Sequence, residues 1–372
     1  MDFLTLIFAN SKLLTGISIL FAFIFSCNPV PNKHIAIQNK NKEIVQHQDF
    51  TLEQPENDFI TYLDKDIQFV INPLHKDVNP DSIEIYLSGN KAFSSRGAKL
   101  TFTGTSILKK TGRQTIRLKI FYKDSLNQVL TSRITVLADK DPAELKYKLI
   151  STLPHDPASY VQGLIYNKGL LYEGSGQYAK SKLKKVNPKN GETIFEIKLN
   201  DEFFGEGITL INDKIYQLTY QSKVGFIYNA ETFELIRKFD LQIVEGWGLT
   251  NDTKNLISSD GSSILYFYDP EYLTQTGQLD VCDHKGLVTR LNELEYIDGV
   301  IWANVYGQKY IVKIDINTGK VIGKLNLENL FPKGLPDDID HVLNGIAFNP
   351  ETKTFYITGK LWPIMYEIEI FD

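Results

Sequence analysis

The chain has 372 residues, 42% of them apolar and 23% charged, with 40 Lys plus Arg against 45 Asp plus Glu and a formal net charge of −5. This is the composition of a globular protein long enough for two domains, without the basic surface that nucleic-acid binding needs. Two Cys and two Met argue against haem, iron–sulfur and Cys-zinc centres, while 19 Tyr and 22 Phe lean towards β-structure.

Leu13 to Phe25 is apolar except for Thr15, Gly16 and Ser18, a run too short for a comfortable membrane span and suited to a secretory leader. A small residue, Ser26, precedes Cys27, which predicts a leader of lipoprotein type over residues 1–26. Cys27 then becomes the lipidated first residue, and the product is a lipid-anchored protein of the bacterial cell envelope, in the periplasm or at the cell surface. With Cys27 so used, Cys282 stands alone and reads as a small buried hydrophobe.

Residues 27–56 are polar and mixed and predict a flexible tether. From 57 to 140 short segments alternate with period two, as in Ser82-Ile83-Glu84-Ile85-Tyr86-Leu87 and Thr115-Ile116-Arg117-Leu118-Lys119-Ile120. Turn signals separate six or seven such segments, which predicts a small immunoglobulin-like β-sandwich. No catalytic constellation falls inside it, so a spacer or docking role is expected.

Beyond Lys140-Asp141-Pro142 the sequence repeats. Gln162-Gly163-Leu164, Glu206-Gly207-Ile208, Trp247-Gly248-Leu249, Asn292-Glu293-Leu294 and Asn344-Gly345-Ile346 recur at spacings of 44, 41, 45 and 52 residues. Each opens a set of about four strands, the size of a propeller blade. The last repeat is one strand short, and Tyr147 to Thr152 is placed to supply it and close the ring. The expectation for 145–372 is an all-β, five-bladed β-propeller.

Residues that lead the first strand of each blade converge at the channel mouth. Here they are Gln162, Glu206, Trp247, Asn292 and Asn344, a set suited to a small polar ligand. Glu206 is the one carboxylate among them, in Phe203-Phe204-Gly205-Glu206-Gly207, where aromatics would desolvate it and raise its pKa. Such a group either moves protons near neutrality, or merely caps a turn or pairs with a Lys across the channel. Lys180, Lys182, Lys184 and Lys185 read as a solvated face, and Asp337-Asp338-Ile339-Asp340-His341 as an acidic loop.

Val161-Gln162-Gly163-Leu164, Phe204-Gly205-Glu206-Gly207, Glu245-Gly246-Trp247-Gly248-Leu249-Thr250, Leu291-Asn292-Glu293-Leu294-Glu295-Tyr296, Ala303-Asn304-Val305, Val342-Leu343-Asn344-Gly345-Ile346-Ala347 and Thr358-Gly359-Lys360-Leu361-Trp362-Pro363 occur in this order. Together they make residues 147–372 resemble the plant and bacterial glutaminyl-peptide cyclotransferases. That resemblance implies conversion of N-terminal glutamine of peptides and proteins to pyroglutamate with release of ammonia. It implies Glu206 as the acid–base, with Asn292 and Lys360 beside it as catalytic groups and Gln162, Phe204 and Trp247 lining the pocket. It implies no cofactor and no metal. Tyr220 and Tyr306 stand where the family commonly has Trp, keeping an aromatic wall but changing its size and adding a hydroxyl. The alternative is a non-catalytic propeller that binds peptide or glycan at the cell surface. Nothing in the sequence demands more than a monomer.

Overall fold

The computed structural model describes residues 48–76, 78–97, 100–122 and 125–371. The leader, Cys27 and the first part of the tether lie outside the described residues. Eight strands come first: β1 (Phe50–Gln54), β2 (Phe59–Tyr62), β3 (Ile67–Pro73), β4 (Ser82–Leu87), β5 (Asn90–Arg96), β6 (Thr101–Gly104), β7 (Gly112–Tyr122) and β8 (Ser125–Leu137). They form a three-stranded sheet in the order β1-β3-β6 and a five-stranded sheet in the order β2-β8-β7-β4-β5. Period-two alternation puts Ile67, Phe69 and Ile71 of β3 together with Ile83 and Ile85 of β4 and Ile116, Leu118 and Ile120 of β7 in one buried core.

The tether is shorter than its sequence suggests, because β1 occupies Phe50–Gln54. The Phe50 side chain joins the core. Gln128 of β8 accepts the Asp49 and Phe50 N–H groups and donates to the Phe50 carbonyl at 2.8 Å, so both backbone polar groups of Phe50 are paired.

After β9 (Ala143–Pro154) come three antiparallel meanders. They are β10 (Val161–Asn167), β11 (Leu170–Ser175), β12 (Lys182–Val186) and β13 (Thr193–Lys198); then β14 (Gly205–Ile211), β15 (Lys214–Thr219), β16 (Val224–Asn229) and β17 (Leu235–Asp240); then β18 (Leu249–Asn251), β19 (Leu256–Ser258), β20 (Ile264–Tyr268) and β21 (Gln275–Asp280). The rest is β22 (Leu291–Ile297), β23 (Val300–Val305), β24 (Tyr310–Asp315), β25 (Val321–Asn326), β26 (Leu343–Asn349), β27 (Thr354–Gly359) and β28 (Ile364–Phe371). These join through β9 into one eight-stranded sheet, β22-β23-β24-β25-β9-β28-β27-β26. β9 runs antiparallel to β28, with Tyr147 opposite Ile370 and Thr152 opposite Tyr366, and pairs in parallel with β25 at Ala143 to Leu145. The strand expected to complete the last repeat is therefore β9.

The five strands that open the repeats are neighbours in a closed order: β10 beside β14, β14 beside β18, β18 beside β22, β22 beside β26, and β26 back beside β10. They approach closely enough to exclude side chains. A Cβ on Gly248 would lie 1.9 Å from the Asn292 carbonyl oxygen, and one on Gly207 would lie 2.5 Å from the Leu249 nitrogen. Side chains satisfy the backbone groups these inner edges leave unpaired. Glu293 of β22 accepts the Ile346 N–H of β26 at 2.8 Å and the Leu164 N–H of β10 at 3.3 Å. Glu295 accepts the Phe348 N–H, and the Thr250 hydroxyl oxygen accepts the Tyr296 N–H. Between sheets the spaces are filled by apolar clusters, Cys282 among the buried residues at 0% exposure.

Gly248→Ala is expected to lower stability by about 1–3 kcal/mol through overpacking against backbone. Gly277, on β21 with open space around it, should tolerate Ala or gain about 0.4–1 kcal/mol. Urea unfolding of the two variants measures the contrast, and equal effects would contradict the close approach.

Candidate active site

The repeats dictate where functional side chains fall. Each opening strand begins at one mouth of the ring, and the antiparallel second strand ends there. Gln162, Glu206 and Asn292 lie at the starts of β10, β14 and β22, and Trp247 just before β18. Tyr220, Tyr306 and Lys360 follow the ends of β15, β23 and β27. With Phe204 and Tyr160 they line one cavity of 260 Å³, about the lower limit for a small-molecule site and the right scale for one terminal residue of a chain.

Of the positions singled out from the sequence, eight line this cavity and Asn344 does not. Asn344 is fully buried and donates from Nδ2 to the Val161 carbonyl at 2.9 Å and to Gln162 Oε1 at 3.2 Å. That contact turns the Gln162 carboxamide so that its Nε2 donates to Glu206 Oε1 at 2.9 Å. Asn344 is thus a support beneath the pocket wall. Tyr160 lines the cavity too, although no motif points to it. It stands two positions before Gln162, as Phe204 stands two before Glu206, and that shared offset is the one signal the sequence offers.

Glu206 is 4% exposed. Burial pushes its carboxyl well above the usual carboxylate range; the Lys360 ammonium opposes that shift and the Glu245 charge adds to it. Lys360 is equally enclosed, and burial pulls its amine down to about 8 against the pull of Glu206 and Asp340. Its Nζ lies 4.5 Å from the Tyr160 ring centroid and 5.2 Å from that of Tyr306, so π-faces replace part of its lost hydration. Among the described residues its ammonium has no carboxylate within ion-pair distance. Asn292 is buried with no hydrogen-bond partner for Oδ1 among the described residues.

Aromatic packing holds the walls. The Phe204 ring meets Tyr160, Tyr178 and Tyr220 at centroid distances of 6.0, 5.5 and 5.8 Å. Trp247 packs edge-on to Tyr306 at 5.6 Å and donates from Nε1 to Glu245 at 3.1 Å. The acidic loop read from the sequence borders the same mouth: the Tyr160 hydroxyl donates to Asp340 and the Tyr306 hydroxyl to the Ile339 carbonyl. Of the lysine run, Lys180 is exposed and Lys182 and Lys185 are half-buried, but Lys184 is not part of a solvated face: it is 2% exposed, opposite Glu173 of β11, with Nζ 2.8 Å from Asp156 and 3.4 Å from Glu173.

A buried carboxyl pushed well above the usual carboxylate range, an enclosed ammonium, two carboxamides and five aromatic walls suit acid–base chemistry at a carbonyl centre. This chain belongs to the glutamine cyclotransferase family, whose sequence profile matches residues 123–370. It is 36% identical over 228 residues, 60% of this chain and 71% of the relative, to a glutaminyl-peptide cyclotransferase of Arabidopsis thaliana. Its structure is similar to that of Myxococcus xanthus glutaminyl cyclase, with a TM-score of 0.58 and 28% identity, over 62% of this chain and 98% of that one.

The paired charges make a titration test. Glu206→Gln should lower the Lys360 pKa below about 8, and Lys360→Met should raise that of Glu206 further. NMR of labelled lysine and glutamate reads both, and unchanged titrations would dissolve the coupling.

Proposed function

We propose that this protein is a glutaminyl-peptide cyclotransferase that closes an N-terminal glutamine into pyroglutamate and releases ammonia. The observation that carries the proposal is Glu206, a buried carboxyl with a raised pKa, set beside Lys360 in a cavity sized for one residue. Membership of the family supports the same reaction.

In this reaction the α-amine nitrogen attacks the γ-carboxamide carbon, forming the ring C–N bond, and the bond to the amide nitrogen then breaks. The attacking nitrogen loses one proton and the leaving nitrogen gains one. Glu206 takes the first and delivers the second, a role for which a pKa near the working pH is best. The amine must arrive neutral, and the Lys360 ammonium nearby disfavours a second positive charge. As the tetrahedral oxyanion forms, Lys360, Asn292 or Gln162 donates to it, each such donor contributing about 3–4 kcal/mol in favourable sites. Phe204, Tyr220, Trp247 and Tyr306 enclose the glutaminyl side chain and fold it toward its own amine.

The architecture we infer is a five-bladed β-propeller over 145–372 preceded by an immunoglobulin-like β-sandwich over 57–140. The closed neighbour order of β10, β14, β18, β22 and β26 supports the blade count, and the two facing sheets around one core support the sandwich. The apolar run ending at Ser26-Cys27 supports a cleaved leader with Cys27 lipidated, hence an enzyme tethered in the bacterial cell envelope.

Purified residues 28–372 are expected to release ammonia from short peptides that begin with Gln. Glu206→Gln should reduce kcat by about 10²–10⁴-fold and spare peptide affinity. kcat should fall as pH rises through about 8, where Lys360 loses its proton, and Lys360→Arg should move that limb upward. Turnover that survives Glu206→Gln would remove Glu206 from the centre of the reaction. No ammonia from any Gln peptide with a folded protein would favour the surface-binding alternative.

A further inference from the structure

Lys360 owes its place to a turn, Lys360-Leu361-Trp362-Pro363, that the chain makes after β27. Leu361 has φ of 57°, a left-handed conformation that a leucine adopts only where its surroundings hold it. Most of the holding comes from one other segment, residues 155–160. The Leu361 N–H donates to the Ser159 carbonyl at 2.8 Å, and the His155 N–H donates to the Pro363 carbonyl at 3.1 Å. His155 Nδ1 donates to the Trp362 carbonyl at 2.6 Å.

That segment is in turn fixed by charge. His155 Nε2 lies 2.9 Å from Glu173 Oε2, and the Ser159 hydroxyl donates to the other carboxylate oxygen. Lys184 lies against Glu173 and Asp156, and Asp156 Oδ1 accepts the Ala158 N–H. A carbonyl faces Nδ1 and a carboxylate faces Nε2, so both ring nitrogens must donate and the ring is an imidazolium. The charges balance: His155 and Lys184 against Glu173 and Asp156. The directions of the shifts agree, since burial lowers the imidazole pKa but Glu173 outweighs it, and His155 and Lys184 hold Glu173 down to about 2. None of these four side chains lines the cavity. The segment they fix ends at Tyr160, whose ring lies beneath the Lys360 ammonium.

We propose that His155, Glu173 and Ser159 are positioning residues for Lys360: a buried, doubly donating imidazolium locks the two backbone segments that carry the Lys360 ammonium and the Tyr160 ring beneath it. This rests on the cyclotransferase reading for its effect on turnover, but not for its effect on Lys360 itself. An apolar filler would pack this space at less electrostatic expense. It would not supply directed hydrogen bonds to the Trp362 carbonyl and the Glu173 carboxylate at once.

The test is a double-mutant cycle in the full soluble protein. His155→Gln, which keeps one donor but not two, is expected to lower kcat about 10- to 100-fold, the effect of an ångström-scale misplacement, with KM changed far less. In a Lys360→Met background the same substitution should change kcat by less than about twofold, because its target is gone. Ser159→Ala, a gentler change, should show a smaller loss with the same dependence on Lys360. A second readout needs no turnover: in His155→Gln, the NMR titration of Lys360 should move up from about 8 toward the ordinary lysine range as the amine leaves its enclosed seat between Tyr160, Tyr306, Glu206 and Asp340. An equal loss of kcat with and without Lys360, or an unmoved Lys360 titration in folded His155→Gln, would overturn the proposal and leave the cluster as a structural tie alone. If His155→Gln does not fold, Ser159→Ala takes its place in both measurements, and the same two results would overturn the proposal. A wild type without turnover would instead defeat the cyclotransferase reading, with the Lys360 titration still deciding the positioning role.

Discussion

Backbone hydrogen bonds that cannot be made within a sheet govern this molecule. Where β10, β14, β18, β22 and β26 meet, each presents an edge with no strand paired to it in a ladder, and the edges are buried. A buried N–H without an acceptor costs about 1–3 kcal/mol, so polar side chains must reach from one sheet to the next. Glu293 does this for two strands at once, and Thr250, Asn251 and Glu295 do it for others. Glycines at 207 and 248 allow the approach that brings these side chains within range. The same close packing buries the polar side chains at the mouth of the ring. There it raises the Glu206 pKa and lowers that of Lys360, so the packing constraint and the chemistry have one source.

The ring also explains why two opposite charges can remain reactive. A direct ion pair between Glu206 and Lys360 would return both groups toward their charged states and hold them there. Instead Glu206 accepts from a neutral amide, Gln162, and Lys360 rests over aromatic rings. Each feels the other through the cavity without being neutralised by contact. Asn344, below the wall, makes this arrangement specific by fixing which way the Gln162 amide faces.

Much of this is legible in the sequence because a repeat leaves a mark that local pattern cannot. Near-equal spacing of the triplets locates the opening strands, and their leading residues give Gln162, Glu206, Trp247 and Asn292 of the cavity. The strand missing from the last repeat points to Tyr147 to Thr152, which β9 contains. Besides Tyr160, three things escape. Phe50 reads as tether because β1 is short and polar, and its burial depends on Gln128, 78 residues away. Lys184 sits in an alternating basic run, and alternation cannot reveal the buried Glu173 and the Asp156 that pair with it. Asn344 and Gln162 lead equivalent repeats, yet Gln162 faces the cavity and Asn344 faces Gln162. A side-chain contact decides that difference, and no spacing encodes it.

β9 has a consequence for the order in which this chain comes together. It is made before every strand of the ring, yet its partner β25 is made late and its partner β28 last, with Tyr147 waiting for Ile370. During synthesis both its edges stand open while β10 to β24 are made, a template for pairing with any other extended segment. Glu144, Lys146 and Lys148 lie along it, charges that discourage such pairing. The turn that carries Lys360 belongs to the same final stretch. The pocket therefore gains its cation only as the ring shuts, and a truncated or half-closed chain cannot hold the complete lining of the cavity.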